Sequence, residues 1–340
     1  MSSMGRIYLL LFSVLLFTNT TLFAQDKDKP RNGEGIQTFL KRHNRTESEY
    51  YNQFLNLNKG KFGKNNTLKK GITYTLPPLS KKKQSSENIT NSVNRKNKLF
   101  GSRYENYTIK SDKLKGATFY LSSGHGGPDP GAMANVNGRI LSEDEYAYDI
   151  ILRLARNLLE EGATVHIIIQ DAKDGIRDDR YLANSNRETC MGEAIPLNQL
   201  LRLKQRSDKI NSLSRKDKGK YKRAMFLHLD SRANKKTQID VFFYHAENSA
   251  EGKKLANTMR DTFDSHYNIH QPQRGYSGTV SARSLYVLNN TSPIGLYAEL
   301  GNIQNTFDQR RFLEPVNRQA LANWICRGFI KDYENSKKRK

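Results

Sequence analysis

The sequence predicts an α/β protein: a twisted, largely parallel or mixed sheet with helices on both faces, preceded by a small α+β module. Three observations carry this. From residue 115 onward, apolar strand-like runs alternate with amphipathic helical segments, the pattern of a sheet covered on both sides. Residues 80–98 are rich in Lys, Ser and Asn with almost no apolar side chains, so they cannot join a core and separate two parts. Three of the later apolar runs end on, or just before, a residue able to ligate a metal or carry a proton: His125, His228 and Glu299. In an open parallel sheet such ends gather along one edge.

Taken in order, the chain begins with Arg6, an apolar run over 7–17, polar residues, and Leu22-Phe23-Ala24 before Gln25-Asp26. This is the pattern of a secretory signal peptide cleaved after Ala24 (segment 1–24); the run is too short to span a bilayer and no Cys follows the cleavage point. Residues 26–32 read as a charged leader without a core. The module, 33–79, places Ile36, Phe39 and Leu40 at helical spacing, then a second apolar segment over 50–57, and closes with LKKGITYTLP (68–77) as a short strand pair around Gly71. A basic polar linker, 80–114, follows; within it, 99–114 reads as packing on the edge of the next domain.

The domain 115–335 opens on the stretch around which the chain is organised, LSSGHGGPDPGAMANVNGRILSEDEYAYD (121–149). A strand over 117–121 delivers His125 into a Gly-rich loop. A second loop covers 135–139, and Ser142 with Glu145 forms an S-x-x-E capping box. Glu145, at the third helical position, then reaches back to the cap, while Glu143, at the first, points into the loop beside His125. Ile150, Ile151, Leu154, Ala155, Leu158 and Leu159 make a helix ending at Gly162, and 164–169 a fully buried strand. Further on come a helix over 200–213, a strand carrying His228, a strand over 239–245, a helix over 252–263, a strand over 283–288, a strand ending on Glu299, and one or two helices over 308–333 before a basic tail (336–340).

His125, Glu143 and His228 form a two-His, one-carboxylate set that leaves a coordination position for water, the form of a hydrolytic zinc site, with Glu299 as candidate general base and acid. His245 is the rival ligand. Asp129, one loop from His125, reads as a loop anchor, and Asp230 and Ser231 follow His228 closely enough to orient it or line the cleft. Arg232 and Arg283 are the candidate contacts for substrate carboxylates. Cys190 and Cys326 could pair but form no disulfide framework; Cys326 lies in an apolar helical pattern as a buried residue. A net charge of +22 implies an anionic partner surface, and no zinc-finger, RRM or helix-turn-helix pattern accompanies it, so nucleic acid is the weaker partner.

The text around these residues, in this order, resembles the zinc-dependent N-acetylmuramoyl-L-alanine amidases, whose pattern runs GHGGxDxGA, E-K-D, SxHxD/N and VELGFxxN. The resemblance implies a zinc-exopeptidase-like fold, Zn2+ on His125, Glu143 and His228, catalysis by Glu299, and hydrolysis of the amide between N-acetylmuramic acid and L-alanine in peptidoglycan. Other readings are a zinc peptidase trimming stem peptides and a non-catalytic wall-binding protein. The chain departs from the pattern at Phe226, at Asn302, and in the long segment 171–203, which is a candidate lid. The L-x-x-G-x-x-Y-x-L-P ending of the module resembles LysM, a glycan-binding fold, although the usual G-D-T opening is here Gly33-Glu34-Gly35-Ile36. Together these imply an exported protein, periplasmic or associated with the bacterial envelope, without a stable membrane anchor. Peptidoglycan is its implied partner, and an activator protein is left open.

Overall fold

The computed structural model describes residues 26–338 apart from 32, 46–47, 64–65, 80–93, 231–237 and 272–273. The signal-peptide segment, linker residues 80–93, Ser231 and Arg232 therefore lie outside the described residues. The chain divides into two compact units, 1–89 and 90–340.

In the first unit, β1 (Lys27–Asp28), α1 (Ile36–Arg42), α2 (Ser48–Leu57) and β2 (Tyr74–Thr75) form a β-α-α-β arrangement. The strand pair is β1 with β2, antiparallel, with Lys27 opposite Thr75. This corrects two expectations. The leader is part of the module, and Gly71 does not centre a hairpin. Nothing apolar in residues 26–32 signals this, because the leader is held by backbone pairing and by arginines: Arg45 bonds Asp26 at 2.7 Å and the Pro77 carbonyl at 2.9 Å, and Arg42 pairs with Asp28 at 2.6 Å. Phe39, Phe54, Tyr74 and Leu76 fill the small core.

The second unit begins with β3 (Arg95–Lys96) paired to β4 (Asn106–Tyr107). Phe100, Tyr107 and Leu114 are buried in the main core, so residues 98–114 belong to this unit and the linker is shorter than 80–114. Next come β5 (Ala117–Ser123), the hairpin β6 (Met133–Val136) and β7 (Arg139–Ser142), α3 (Glu143–Glu160), β8 (Thr164–Ile167), β9 (Ile169–Gln170), β10 (Thr189–Cys190), β11 (Glu193–Ala194) and α4 (Gln199–Lys216). The chain then runs through β12 (Tyr221–Asp230), β13 (Phe242–His245), α5 (Ala250–His270), β14 (Thr279–Ala282), α6 (Tyr286–Asn289), β15 (Ile294–Asn302), α7 (Gln309–Leu313) and α8 (Pro315–Lys338).

The main sheet has six strands in the order β14-β13-β15-β12-β5-β8. All neighbours are parallel except β13 and β15, so the sheet is mixed and largely parallel. Its two faces follow the two-residue period of a strand. Phe119, Leu121, Met225 and Leu227 point to the cluster shared with α3, α5 and α8. Tyr120, Ala224 and Phe226 point the other way, to Ile210 of α4 and Val287 and Leu288 of α6. Helices thus cover both faces, and Phe226 serves as core on the second.

Four local expectations change. Residues 164–169 are not one fully buried strand: Thr164–Ile167 form β8, the edge strand of the main sheet with Thr164 exposed, and Ile169 passes into β9 of a separate small sheet. Residues 283–288 are no strand: β14 ends at Ala282, and Val287 with Leu288 turns into α6 to cap the second core. The second loop of 135–139 is the tip of a hairpin, with Asn137 and Gly138 at φ +54° and +77°, the left-handed pair that a two-residue I′ turn requires. α8 runs to Lys338, so helix continues into the basic tail.

Candidate metal centre

Three parallel strands, β5, β12 and β15, bring their carboxyl ends to one edge of the sheet. His125 lies in the loop two residues beyond β5, and His228 lies near the end of β12. Glu299 sits on β15 in register with His228. Glu143 is the first residue of α3, as its place in the sequence predicts. His125, Glu143 and His228 offer ligand atoms that all lie within 4.8 Å of one another. His125 Nε2 is 3.3 Å from Glu143 Oε2, and His228 Nδ1 is 3.0 Å from Glu143 Oε1.

Two glycines make this approach possible. A Cβ on Gly124 would lie 2.1 Å from the His228 ring, and one on Gly131, at φ +69°, would lie 2.6 Å from the His125 ring and 2.8 Å from Glu143 Oε2. Any side chain at either position would occupy the space of a ligand.

The candidate ligands are held from outside. Asp129 Oδ2 lies 2.8 Å from His125 Nδ1, which turns Nε2 toward Glu143, the usual way a carboxylate orients a metal-binding imidazole. Asp129 also accepts from Gly131 N and pairs with Arg202 at 2.7 Å. Arg206, nearly fully buried, donates to the carbonyls of Ser123 (3.3 Å) and His125 (3.0 Å). Glu143 accepts from the amides of Ala132 and Leu229, both at 2.9 Å. The Tyr297 ring stacks on His228 at 4.3 Å.

The electrostatics of the site follow from burial and from the close approach of these charges. Burial alone would raise the Glu143 pKa, but the imidazoles of His125 and His228 hold it well below the usual carboxylate range. Burial opposes charge on His125, yet Asp129 and Glu143 carry its pKa up to about 10. Burial lowers that of His228. Glu299 is pushed far up, first by burial and then by the charges of Glu143 and Asp230, and its Oε2 is buried without a hydrogen-bond partner. Two carboxylates facing one space with an orphaned oxygen are what a bound divalent cation relieves, so the donor set fits zinc in chemistry and spacing.

Other sequence candidates are placed differently. His245 ends β13, which runs antiparallel to β15, so it lies toward the opposite end of the sheet, with Nδ1 2.8 Å from the Ala246 carbonyl. Arg283 lies over the Tyr244 ring at 4.9 Å, and Tyr244 packs on Tyr297 at 6.0 Å; it thus approaches His228 only through two aromatic rings. Both cysteines are free and buried. The capping-box expectation fails: Ser142 makes no side-chain cap bond, and Glu145 instead accepts from Ser185 N at 2.5 Å and pairs with Arg177 at 2.8 Å. The long segment supplies stronger partners than the cap. It also braces the site, since Glu188 accepts from Gly127 N at 2.8 Å. Arg202 and the role of Arg206 were missed by reading the sequence; their spacing of four on α4 was the available signal.

The fold and this donor set define a class: an α/β protein with a His-Glu-His candidate metal centre on the carboxyl edge of its sheet. The chain belongs to the N-acetylmuramoyl-L-alanine amidase family, whose model matches residues 120–331. It is similar to the probable cell wall amidase LytH of Staphylococcus aureus, 29% identical over 222 residues, covering 65% of this chain and 60% of the relative. The chain therefore matches less than two thirds of that relative's length. Solved structures similar to it include an N-acetylmuramoyl-L-alanine amidase from Clostridium difficile 630 (19% identity, TM-score 0.47, covering 64% of this chain and 97% of that one). Another is AmiC2 of Nostoc punctiforme (18% identity, TM-score 0.47, covering 65% and 99%).

Proposed function

We propose that the protein is a zinc-dependent amidase that hydrolyses the bond between N-acetylmuramic acid and L-alanine in peptidoglycan. The observation that supports it most is the convergence of His125, Glu143, His228 and the unpartnered Glu299 oxygen at one sheet edge. His125, Glu143 and His228 would hold the zinc. When bound, zinc lowers the pKa of its water to about 7 and polarises the scissile carbonyl.

The chain's own residues supply the rest. Asp129 keeps His125 in one orientation, and the amides of Ala132 and Leu229 hold the Glu143 carboxylate in place. Glu299 Oε2 is the proton carrier: it accepts the proton of the attacking water and returns it to the leaving amine, work worth roughly 10²–10⁴-fold. A carboxyl whose pKa is held high by burial and like charge is suited to that return step. Arg232 and Arg283 are proposed to contact substrate carboxylates.

Digestion of purified sacculi by the zinc-loaded chain, with products identified by mass, tests this reading. Release of intact stem peptides beginning with L-alanine supports the amidase. Shortened peptides still attached to muramic acid would make the protein a peptidase, and no release would leave it a binding protein.

For the N-terminal unit we propose wall-glycan binding, supported by its β-α-α-β order and its L-x-x-G-x-x-Y-x-L-P ending. Residues 1–24 are proposed to export the chain to the envelope. No helix among the described residues is long and apolar enough to cross a membrane.

A further inference from the structure

A second group of acids lies beside the ligand helix and takes no part in the chemistry above. Asp144 and Glu145 follow Glu143 in the first turn of α3, and Glu188 comes from the long segment just before β10. Each offers a carboxylate oxygen, and these lie within 4.8 Å of one another. The three residues are 2%, 1% and 5% exposed.

Hydrogen-bond accounting separates this group from an ordinary acidic patch. Glu188 is satisfied by Gly127 N and by Ser185 Oγ at 2.7 Å. The same hydroxyl is 3.0 Å from Asp171 Oδ2, yet it carries only one hydrogen for two carboxylates. Asp144 Oδ1 accepts from Glu145 N at 2.9 Å, while its Oδ2 is buried with no partner at all, and the carboxyl faces the charges of Glu145 and Glu188. Counting Asp171 and Asp174, five carboxylates share this region, and their ion pairs come from two guanidiniums, Arg177 and Arg187.

We infer that Asp144, Glu145 and Glu188 form a second cation site, specific for calcium. All the donors are oxygens, with neither imidazole nor thiolate, so the site selects a hard cation over zinc. Three carboxylates able to bind in mono- or bidentate form suit calcium, whose coordination is flexible; magnesium keeps several of its waters and is held by one or two carboxylates rather than by such a cluster. The ion would join three parts of the chain: the start of α3 that presents Glu143, the loop that presents His125 through Gly127 and Glu188, and the long segment 171–203. That segment is then a clamp on the zinc ligands, and calcium is what closes it.

The test uses the full chain, loaded with zinc and dialysed against about 1 mM calcium chloride, with bound elements counted by mass spectrometry. Wild type should hold one calcium beside one zinc. Asp144→Asn and Glu188→Gln should keep zinc and lose calcium, whereas His228→Ala should lose zinc and keep calcium. Zinc-loaded wild type should melt about 5 °C or more higher in calcium at 100-fold over its Kd, and should not respond to equal magnesium. Absence of calcium from wild type, with no shift in melting, would overturn the inference and mean that the carboxylates share protons instead. Calcium retained by both carboxylate variants, or lost only in His228→Ala, would also overturn it. If a carboxylate variant fails to fold, the wild-type element count and the calcium–magnesium comparison still decide.

Discussion

Replacing Glu299 by Gln separates proton transfer from metal binding in a single side chain. The amide has the shape of the carboxyl but cannot take a proton from water. Turnover on muropeptides should therefore fall by roughly 10²–10⁴-fold, about 3–5 kcal/mol in the barrier. Zinc should stay, because the three ligands are held by Asp129, Ala132, Leu229 and Arg206 and not by Glu299. Stability gives an independent readout. The folded-state pKa of Glu299 is raised by burial and by Glu143 and Asp230. Ionising it in the metal-free fold therefore costs stability, and the cost grows as pH rises from the unfolded carboxyl value, about 4.3, toward the folded one. The metal-free variant should match wild type near pH 4 and melt higher than wild type at pH 8. Muropeptide release by mass, zinc content and two melting curves are enough. Loss of zinc would make Glu299 a ligand, and turnover near that of wild type would remove it from the chemistry. A lower melting temperature at pH 8 would refute the electrostatic argument.

Three further outcomes follow from the geometry. Zinc binding should release more than one proton per chain near pH 8, because His125 is held protonated up to about 10 and must lose its proton to ligate, and the bound water, with a pKa of about 7, adds its own; calorimetry in buffers of different ionisation enthalpy measures it, and release of one proton or fewer contradicts the protonated state of His125. Gly124→Ala should cost zinc affinity at least as much as losing an orienting residue, about 10–100-fold, since its Cβ overlaps the His228 ring, while secondary structure by circular dichroism stays unchanged. Arg318→Ala should lower unfolding free energy in urea by about 3–5 kcal/mol, because Arg318 and Asp149 are both fully buried and pair at 2.6 Å. A loss below about 1 kcal/mol would mean that Arg153, which also pairs with Asp149, suffices alone.

Side-chain periodicity and the ends of apolar runs made the sheet and its candidate metal site legible before any coordinates. Apolar runs at 117–121 and 224–227, alternating with amphipathic helical segments, pointed to a sheet covered on both faces, and His125, Glu143, His228 and Glu299 could be named because each stands where a strand or loop gives way to the next element. Tertiary structure decided what depends on backbone pairing and on distant partners. The leader joins the module through two ladder residues and two arginines, with no apolar signal to betray it. The antiparallel β13 turns His245 away from the site, and strand direction leaves no mark in composition. Glu145 satisfies a textual capping motif yet bonds Ser185 and Arg177, forty and thirty-two residues away, because a buried carboxylate gains more from a charged partner than from one neutral amide at its own helix start. Local pattern records which face a residue takes. Only the closed fold determines which of several available partners it meets there, since that depends on which groups lose their water together.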